Sequence, residues 1–287
     1  FKGDLRFYDD IENVFLYANK NKLQIDSVIH FAGLKSIKES IKNPILYWDF
    51  NFLSTINLIK VMQKFSCRNI IFSSSATIYD NAGGNLIDET FMIRPDNPYG
   101  KTKALVESFL EDIFNSELNK WKIINLRYFN PIGAHKEGIL GEQPNGMPDN
   151  LFPIILKVAA KELKKLRVFG NDWNTRDGTC IRDYIHVMDL AEGHIAAYDY
   201  LQKSEPKISN FNIGTGLGTT VLELINIFQD INKVKIPYYF AERRKGDQEV
   251  VIASTSKLFE TLKWRPKRNI EDMCKDGWNW QKKLDGI

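Results

Sequence analysis

Tyr99 and Lys103 stand four residues apart in Pro98-Tyr99-Gly100-Lys101-Thr102-Lys103, so on a helix both side chains leave one face, one above the other. An ammonium beside a phenol favours the phenolate. It draws the tyrosine down from its ordinary value of about 10 and makes it a usable base. Upstream, Ser73-Ser74-Ser75 follows the strand-like Asn69-Ile70-Ile71-Phe72, which sets hydroxyls at a strand's end. A hydroxyl, a phenol and an ammonium together are equipped to take a proton from an alcohol. The spacing Tyr-x-x-x-Lys alone equally describes a surface helix, so the elements that carry these residues must decide.

Those elements alternate. Gly3-Asp4-Leu5-Arg6 reads as the end of a strand, and residues 9–21 have the apolar spacing of a helix. Asp26-Ser27-Val28-Ile29-His30-Phe31-Ala32-Gly33 is an apolar run closed by glycine, as in a buried parallel strand. A helical pattern over 45–65, a strand over 69–73, a helix over 99–116 and a strand over 122–129 follow. The alternation predicts an α/β fold, a doubly wound parallel sheet of Rossmann type whose first βα unit is missing. Ligands of such sheets lie beyond the carboxyl ends of the strands. Gly33, Ser75 and Asn130 all fall just past strand ends and are expected to share one crevice with Tyr99.

The glycine-rich turn that cradles a dinucleotide pyrophosphate at a helix N-terminus does not precede the first helix. Gly214-Thr215-Gly216-Leu217-Gly218 imitates it late in the chain with the wrong spacing, and reads as a plain strand-to-helix turn. Residues 131–153, rich in glycine and proline, read as a long functional loop or domain crossing. A helix over 150–163 and a strand over 166–169 follow. Then Cys180-Ile181-Arg182-Asp183-Tyr184-Ile185-His186-Val187 enters a helix with Asp189 at or near its N-cap. Helices over 256–262 and 270–283 close the chain. Arg182 and Arg244 stand out, because a guanidinium binds phosphate in two-pronged fashion and two of them suit a diphosphate; arginines in structural ion pairs would look the same by spacing.

Composition narrows the classes. A chain of 287 residues exceeds what one core usually organises. Residues 1–131 are expected to form one domain and 132–287 a second, smaller α/β lobe, with about 181–213 as a candidate return to the first. A net charge of +3, with both signs interspersed, does not call for nucleic acid. Three widely spaced cysteines suit buried thiols in a reducing compartment, and the four histidines show no metal-ligand spacing. No long apolar run or signal-like start is present, so the reading is cytoplasmic, with no metal and no membrane.

Phe31-Ala32-Gly33-Leu34-Lys35, Phe72-Ser73-Ser74-Ser75-Ala76-Thr77-Ile78-Tyr79, Pro98-Tyr99-Gly100-Lys101-Thr102-Lys103, Arg127-Tyr128-Phe129-Asn130-Pro131-Ile132-Gly133-Ala134-His135 and Arg182-Asp183-Tyr184-Ile185-His186-Val187 together resemble the UDP-glucose 4-epimerases, a family of extended short-chain dehydrogenases/reductases. The likeness runs in order over essentially the whole chain. It implies an NAD-dependent inversion at C4 that interconverts UDP-galactose and UDP-glucose through a 4-keto sugar. Tyr99 would be the base, and Ser75 would hold or relay the C4 proton. Lys103 would bind the nicotinamide ribose and lower the tyrosine's pKa. By the same resemblance Asp4, Leu5, Phe31, Ala32, Gly33, Leu34, Lys35, Asn51 and Phe129 line the cofactor, together with Ser75, Tyr99 and Lys103. Asn130, Asn150, Leu151, Phe169, Arg182, Arg244 and Asp247 hold the UDP-sugar, beside Ser75 and Tyr99. A homodimer joined through the helices over 45–65 and 99–116 is also implied.

Three departures from the family pattern matter. The cofactor turn is absent from the sequence as written, which is expected to begin downstream of it and to bind NAD poorly. Phe50-Asn51 stands where the family has two asparagines, and Phe50 cannot donate the first one's hydrogen bond. Val251 stands where some relatives carry a tyrosine, which leaves room for N-acetylated UDP-sugars. Among related chemistries, nucleotide-sugar dehydration needs an acid-base pair after the catalytic hydroxyl, and Ala76-Thr77 does not provide one. Another UDP-sugar-modifying member, or a truncated relative that binds UDP-sugars without catalysis, are the alternative readings.

Overall fold

The computed structural model describes every residue except Asn81, Ala82, Asn85, Leu118, Asn119, Asn145, Lys245 and Ile287. Helix α1 (Tyr8–Lys20) has Asp9 and Asp10 in its first turn and Lys20 in its last, signs that complement the helix dipole. The residues before it form a turn, where a strand end was expected. Phe7 N–H donates to the Asp4 carbonyl at 2.9 Å, Arg6 N–H donates to the Asp4 carboxylate at 2.9 Å, and Asp4 N–H donates to the Asp10 carboxylate at 2.8 Å. An aspartate that satisfies its own backbone neighbourhood in this way withdraws it from a ladder.

Next come β1 (Val28–His30), α2 (Ile37–Lys42), α3 (Pro44–Tyr47), α4 (Ser54–Lys64), β2 (Asn69–Ser75), α5 (Pro98–Ser116) and β3 (Lys122–Tyr128). The helix expected over 45–65 is real but is not one regular helix: a π-helical turn, Trp48–Leu53, joins α3 to α4. Carbonyls loosened by the wider turn are taken by hydroxyls one turn on, Ser54 Oγ donating to Phe50 O at 2.5 Å and Thr55 Oγ1 to Asn51 O at 2.8 Å. α5 starts as its sequence dictates, with Asn97 as N-cap accepting from Gly100 N–H at 2.9 Å and Pro98 in the first turn.

The remaining elements are β4 (Asn130–Ile132), α6 (Leu151–Ala159), β5 (Leu166–Phe169), β6 (Ile181–His186), α7 (Val187–Lys203), β7 (Lys207–Ile213), β8 (Gly218–Thr220), α8 (Val221–Asn232), β9 (Tyr238–Ala241), β10 (Val250–Val251), α9 (Ser256–Leu262) and α10 (Ile270–Asp285). The packing resolves two units. One comprises Phe1–Asp80, Phe91–Arg127 and Ala197–Phe211; the other comprises Asn81–Thr90, Tyr128–Ala196 and Asn212–Ile287.

The first unit is built on a sheet of order β1-β2-β3-β7, with β1 and β2 parallel and Val28 opposite Ile70. This is the Rossmann-type α/β architecture that the alternation predicts. Ile11, Phe15, Leu58, Met62, Ile70, Phe72, Val106, Leu110 and Trp121 form its core. The second unit holds β6 between β4 and β10 in parallel, with β8 antiparallel to β6, and a separate parallel pair β5-β9. Its core includes Phe152, Ile155, Leu166, Tyr184, Leu224, Phe228, Met273 and Trp278. Ile87 bridges Ala253, a pairing across most of the chain that no local pattern announces.

One helix start differs from simple expectation. Asp189 lies inside the first turn of α7. Rather than capping that helix, its fully buried carboxylate accepts from Lys267 N–H at 3.0 Å, from Arg268 N–H at 2.8 Å and from the Arg268 guanidinium. The Gly214–Gly218 region is a turn whose amides are already in use: Thr215 and Gly216 N–H donate to the buried Asp183 carboxylate at 2.8 and 2.9 Å. A side chain at Gly214 would come within 2.6 Å of that carboxylate. The turn therefore cradles an internal anion.

Candidate active site

Three residues of α5, spaced by four, meet three consecutive serines at the end of β2. The Ser75 hydroxyl acts on the Tyr99 phenol, favouring its ionised form. Lys103 Nζ donates to the Ser73 carbonyl at 2.7 Å, and the Ser74 hydroxyl donates to the Glu107 carboxylate. A strand alternates its faces while a helix repeats every four residues; here the strand's end contributes a carbonyl where its side chain points away. The trio read from the sequence, Ser75, Tyr99 and Lys103, is brought together. Ser75 is oriented further by Thr77, whose hydroxyl donates to Ser75 Oγ at 3.0 Å and whose N–H donates at 3.3 Å.

Electrostatics at the site are set by burial. Lys103 is 5% exposed, and desolvation pushes its ammonium down to about 8, against the opposing pull of the Glu107 charge. Tyr99 moves up from its ordinary value because burial disfavours the phenolate, with the Ser75 hydrogen bond pulling the other way. This corrects the expectation that Lys103 draws Tyr99 down. The ammonium lies 5.9 Å from the phenol ring's centre and 4.9 Å from that of Phe72, held at the Ser73 carbonyl, so desolvation of the phenol outweighs it. His30, at the end of β1, is pushed down to about 3 by burial and by the Lys103 charge. It is therefore neutral and bonds Thr55 Oγ1 at 2.9 Å.

The loop after β1 runs past the lysine. Phe31, Ala32, Gly33 and Lys35 are exposed and Leu34 half-buried. A Cβ on Gly33, at φ +157°, would lie 3.0 Å from Asn51 Oδ1 and 3.9 Å from Lys103 Nζ, so glycine lets the loop backbone approach the ammonium closely. Asn51 clips that loop to α5. Its Oδ1 accepts from Leu34 N–H at 2.7 Å, and its Nδ2 donates to Leu34 O and to Thr102 Oγ1, both at 3.0 Å. Both amide donors are thereby spent within the protein. Asp4 and Leu5 sit on the turn before α1, the Asp4 carboxylate gripped by Arg6 at 2.6 to 3.1 Å. Arg6 in turn lies 3.7 Å over the Phe50 ring.

In the second unit Phe169 ends β5 with Arg244 at 4.7 Å and Arg167 at 5.3 Å from its ring centre. Arg244 holds Asp247 through Nε and Nη2 at 2.9 and 3.1 Å. Arg182, on β6 beside Val251 of β10, donates to Ile181 O at 2.8 Å. The buried Cys180 thiol is pushed up by desolvation while the charges of Arg182, Asp247 and Arg244 all act on it, which places these three in one neighbourhood. Asn130 opens β4 opposite Tyr184, two residues along β6 from Arg182. Asn150 precedes α6 without its side chain capping the helix, and Leu151 is the first helical residue. Phe129 is buried, its N–H donating to Ile213 O at 3.2 Å.

Glu107, Ser74 and Thr77 were not singled out by sequence reasoning. The first had a usable signal, because 99, 103 and 107 continue one helical face; Ser74 and Thr77 had only their nearness to Ser75. Among the described residues no group of three or more His, Cys, Asp or Glu side chains could hold a metal, and no helix is long and apolar enough to cross a membrane.

Known proteins share this sequence and fold. The family model described as GDP-mannose 4,6 dehydratase matches residues 1–277. UDP-glucose 4-epimerase 4 of Oryza sativa subsp. japonica is 46% identical over 282 residues, which is 98% of this chain and 75% of that protein. The crystal structure of UDP-glucose-4-epimerase from Stenotrophomonas maltophila, with bound NAD and formylated UDP-arabinopyranose, superposes with a TM-score of 0.94 at 40% identity, covering 100% of this chain and 83% of that one. That of UDP-glucose 4-epimerase from Bifidobacterium longum in complex with NAD+ and UDP gives a TM-score of 0.92 at 43% identity, covering 99% and 83%.

Proposed function

The chain belongs to the UDP-glucose 4-epimerase family, isomerases that invert UDP-sugars at C4 with NAD, and we propose that its chemistry is carried by Ser75, Tyr99 and Lys103. The observation that carries this is the single helix face from which Lys103 Nζ donates to the Ser73 carbonyl at 2.7 Å, with Tyr99 one turn before it under the influence of the Ser75 hydroxyl. Tyr99 takes the proton of the C4 hydroxyl, and Ser75, itself oriented by Thr77, holds that oxygen by hydrogen bond. When bound, NAD supplies the acceptor and later the donor of the C4 hydride. Tyr99 returns the proton once the 4-keto sugar has presented its other face.

The residues present fit the nicotinamide ribose. Lys103 is a buried ammonium whose hydrogen-bond partner here is one backbone carbonyl, so two of its three donors are available to ribose hydroxyls. The cation also lowers the cost of a half-buried Tyr99 phenolate. Phe31, Ala32, Gly33, Leu34, Lys35, Asp4, Leu5 and Phe129 line the cofactor in this reading. Asn51 contributes by fixing the Gly33-Leu34 loop, because its donors are spent.

Anchoring of the UDP moiety falls to the second unit, with Arg182 and Arg244 on the diphosphate and Asn130, Asn150, Leu151, Phe169 and Asp247 around the nucleotide and sugar. Elimination of water is disfavoured by Ala76 and Thr77, which provide no acid-base pair beside Ser75. Val251 lies opposite Arg182 across the β6-β10 pair, and its small side chain leaves room for an N-acetyl group, which extends the substrate range to UDP-N-acetyl sugars. Ile45, Leu53 and Leu105 are 77%, 41% and 40% exposed, apolar surface on α3, the π turn and α5 that suits a homodimer; the reading also places the protein in the cytoplasm.

The test is direct. Full-length protein incubated with UDP-galactose and NAD is expected to yield UDP-glucose without loss of water. A dehydrated product, or UDP-sugar binding without turnover in a preparation that holds NAD, overturns the reading.

A further inference from the structure

We propose that Glu107 is a positioning residue for the epimerase reaction: held by Arg127 and Ser74, it keeps Lys103 charged and α5 in register with the end of β2. The proposal rests on the functional reading above and adds a residue to it.

Glu107 lies one turn beyond Lys103 on the face that carries Tyr99. It is 6% exposed, and Arg127, at 1% exposure, grips both its oxygens, Nε at 3.1 and 3.2 Å and Nη2 at 2.6 Å. Arg127 is itself fixed by Nη1 donating to the Tyr79 hydroxyl at 2.8 Å. The Ser74 hydroxyl completes the carboxylate's shell. Three elements therefore meet at one ion pair, α5 through Glu107, β2 through Ser74 and β3 through Arg127, and the turn after β2 steadies the guanidinium through Tyr79.

A buried ion pair this well bonded costs about as much in desolvation as it returns in attraction, so stability alone is a weak reason for it. Its position gives a better one. Ser74 is the neighbour of both Ser73, whose carbonyl holds Lys103, and Ser75, whose hydroxyl acts on Tyr99. Any slip of α5 along β2 breaks the Lys103–Ser73 and Ser74–Glu107 bonds together and shifts Tyr99 from Ser75, and misplacing reacting groups by about 1 Å costs on the order of a hundredfold in rate.

The charge matters as well. Lys103 is faced by Tyr99 and Glu107 on its own helix, by neutral His30 from β1, and by Arg127 from β3 behind Glu107; β2 presents the Ser73 carbonyl and the Phe72 ring. Glu107 is the anion in this set. Burial already pushes the ammonium down to about 8 while Glu107 opposes the fall. Without that anion the ammonium is lost at lower pH, and with it the support for the Tyr99 phenolate.

The experiment compares wild type, Glu107→Gln, Glu107→Asp and Ser74→Ala in the full-length protein. The Lys103 titration is read by NMR of 13Cε-labelled lysine, assigned with Lys103→Met, and kcat and KM are measured across pH. In Glu107→Gln the Lys103 midpoint is expected to fall by about one pH unit, with the alkaline limb of kcat moving by the same amount. At neutral pH kcat is expected to fall roughly tenfold while KM for the UDP-sugar changes less than about twofold, and Glu107→Asp is expected to restore the midpoint in part. Ser74→Ala, which keeps the ion pair, is expected to lower kcat and leave the midpoint in place; it carries the register half of the proposal should Glu107→Gln not fold. Coincident titration curves for wild type and Glu107→Gln, or an unchanged kcat in Ser74→Ala, overturn the proposal. Because the NMR titration needs no turnover, an inactive wild type would count against the functional reading alone.

Discussion

The two regions proposed for chemistry and for anchoring hold their charges in opposite ways. On α5 of the first unit Lys103 and Glu107 are buried, and Tyr99 is displaced upward from its ordinary value by desolvation. In the second unit Arg244 is about half exposed, its side chain at 51%, and pairs with Asp247 three residues on. The difference follows from the work proposed for each. Proton transfer needs groups whose affinity for a proton has been moved, and burial is what moves it. Anchoring a diphosphate needs cations that stay charged, and guanidinium does so with little help. Tuning costs stability, whereas anchoring costs little, because exposed ion pairs are worth little either way.

Substitutions can break this contrast, most severely at the buried face. Tyr99→Phe removes the proposed base while keeping the ring's packing against Tyr47, 6.5 Å away edge to face. It is expected to lower kcat by about a thousandfold with UDP-sugar affinity nearly unchanged. Calorimetry with UDP beside turnover assays checks this, and near-wild-type kcat would falsify the assignment.

Lys103→Met should separate activity from stability. The folded-state value of about 8 lies below the unfolded value of 10.5, so below pH 8 the fold carries a buried charge at full cost. That cost is relieved as pH rises from 8 toward 10.5, where the unfolded chain binds more protons. Methionine removes the charge and keeps the volume, so unfolding in denaturant at pH 7 is expected to show a gain of about 2 kcal/mol, together with loss of most epimerisation. The gain should shrink when measured near pH 10. Destabilisation at pH 7 would show that the Lys103–Ser73 bond outweighs the buried charge.

The anchoring side should respond in KM. Arg244→Ala is expected to raise KM for UDP-sugars about tenfold to thirtyfold, the worth of a charge-assisted hydrogen bond, with a smaller change in kcat. Its effect on melting temperature should be slight, since the Arg244 side chain is about half exposed and such ion pairs are worth little. A fall in kcat at constant KM would place Arg244 with the buried face instead. Smallest of all, Val251→Tyr is expected to cut turnover of UDP-N-acetylglucosamine by about tenfold relative to UDP-glucose. Equal loss on both substrates would mean that position 251 does not face the sugar.

Much of this was legible in the sequence because it is periodic. The four-residue spacing of Tyr99 and Lys103 and the serine run closing an apolar strand are local signals, and the structure keeps both of them. The strand expected at residues 3–6 failed because Asp4 spends its carboxylate and carbonyl on Arg6 and Phe7, a short-range competition that apolar patterning does not see. The π turn at Trp48–Leu53 was hidden for a similar reason: its residues look helical, and only the tertiary demand on Asn51, reaching Leu34 and Thr102, shows why the helix widens there.

The sequence by itself determined which groups lie on the reactive helix face and in what order, since helix geometry converts spacing into direction. Only the tertiary structure decided how those groups are charged and held. Desolvation, not the neighbouring lysine, sets the direction of the Tyr99 shift, and Glu107 acquires its role from Ser74 and Arg127, 33 and 20 residues away. Burial and long-range pairing are properties of the packed chain, and no local pattern encodes them.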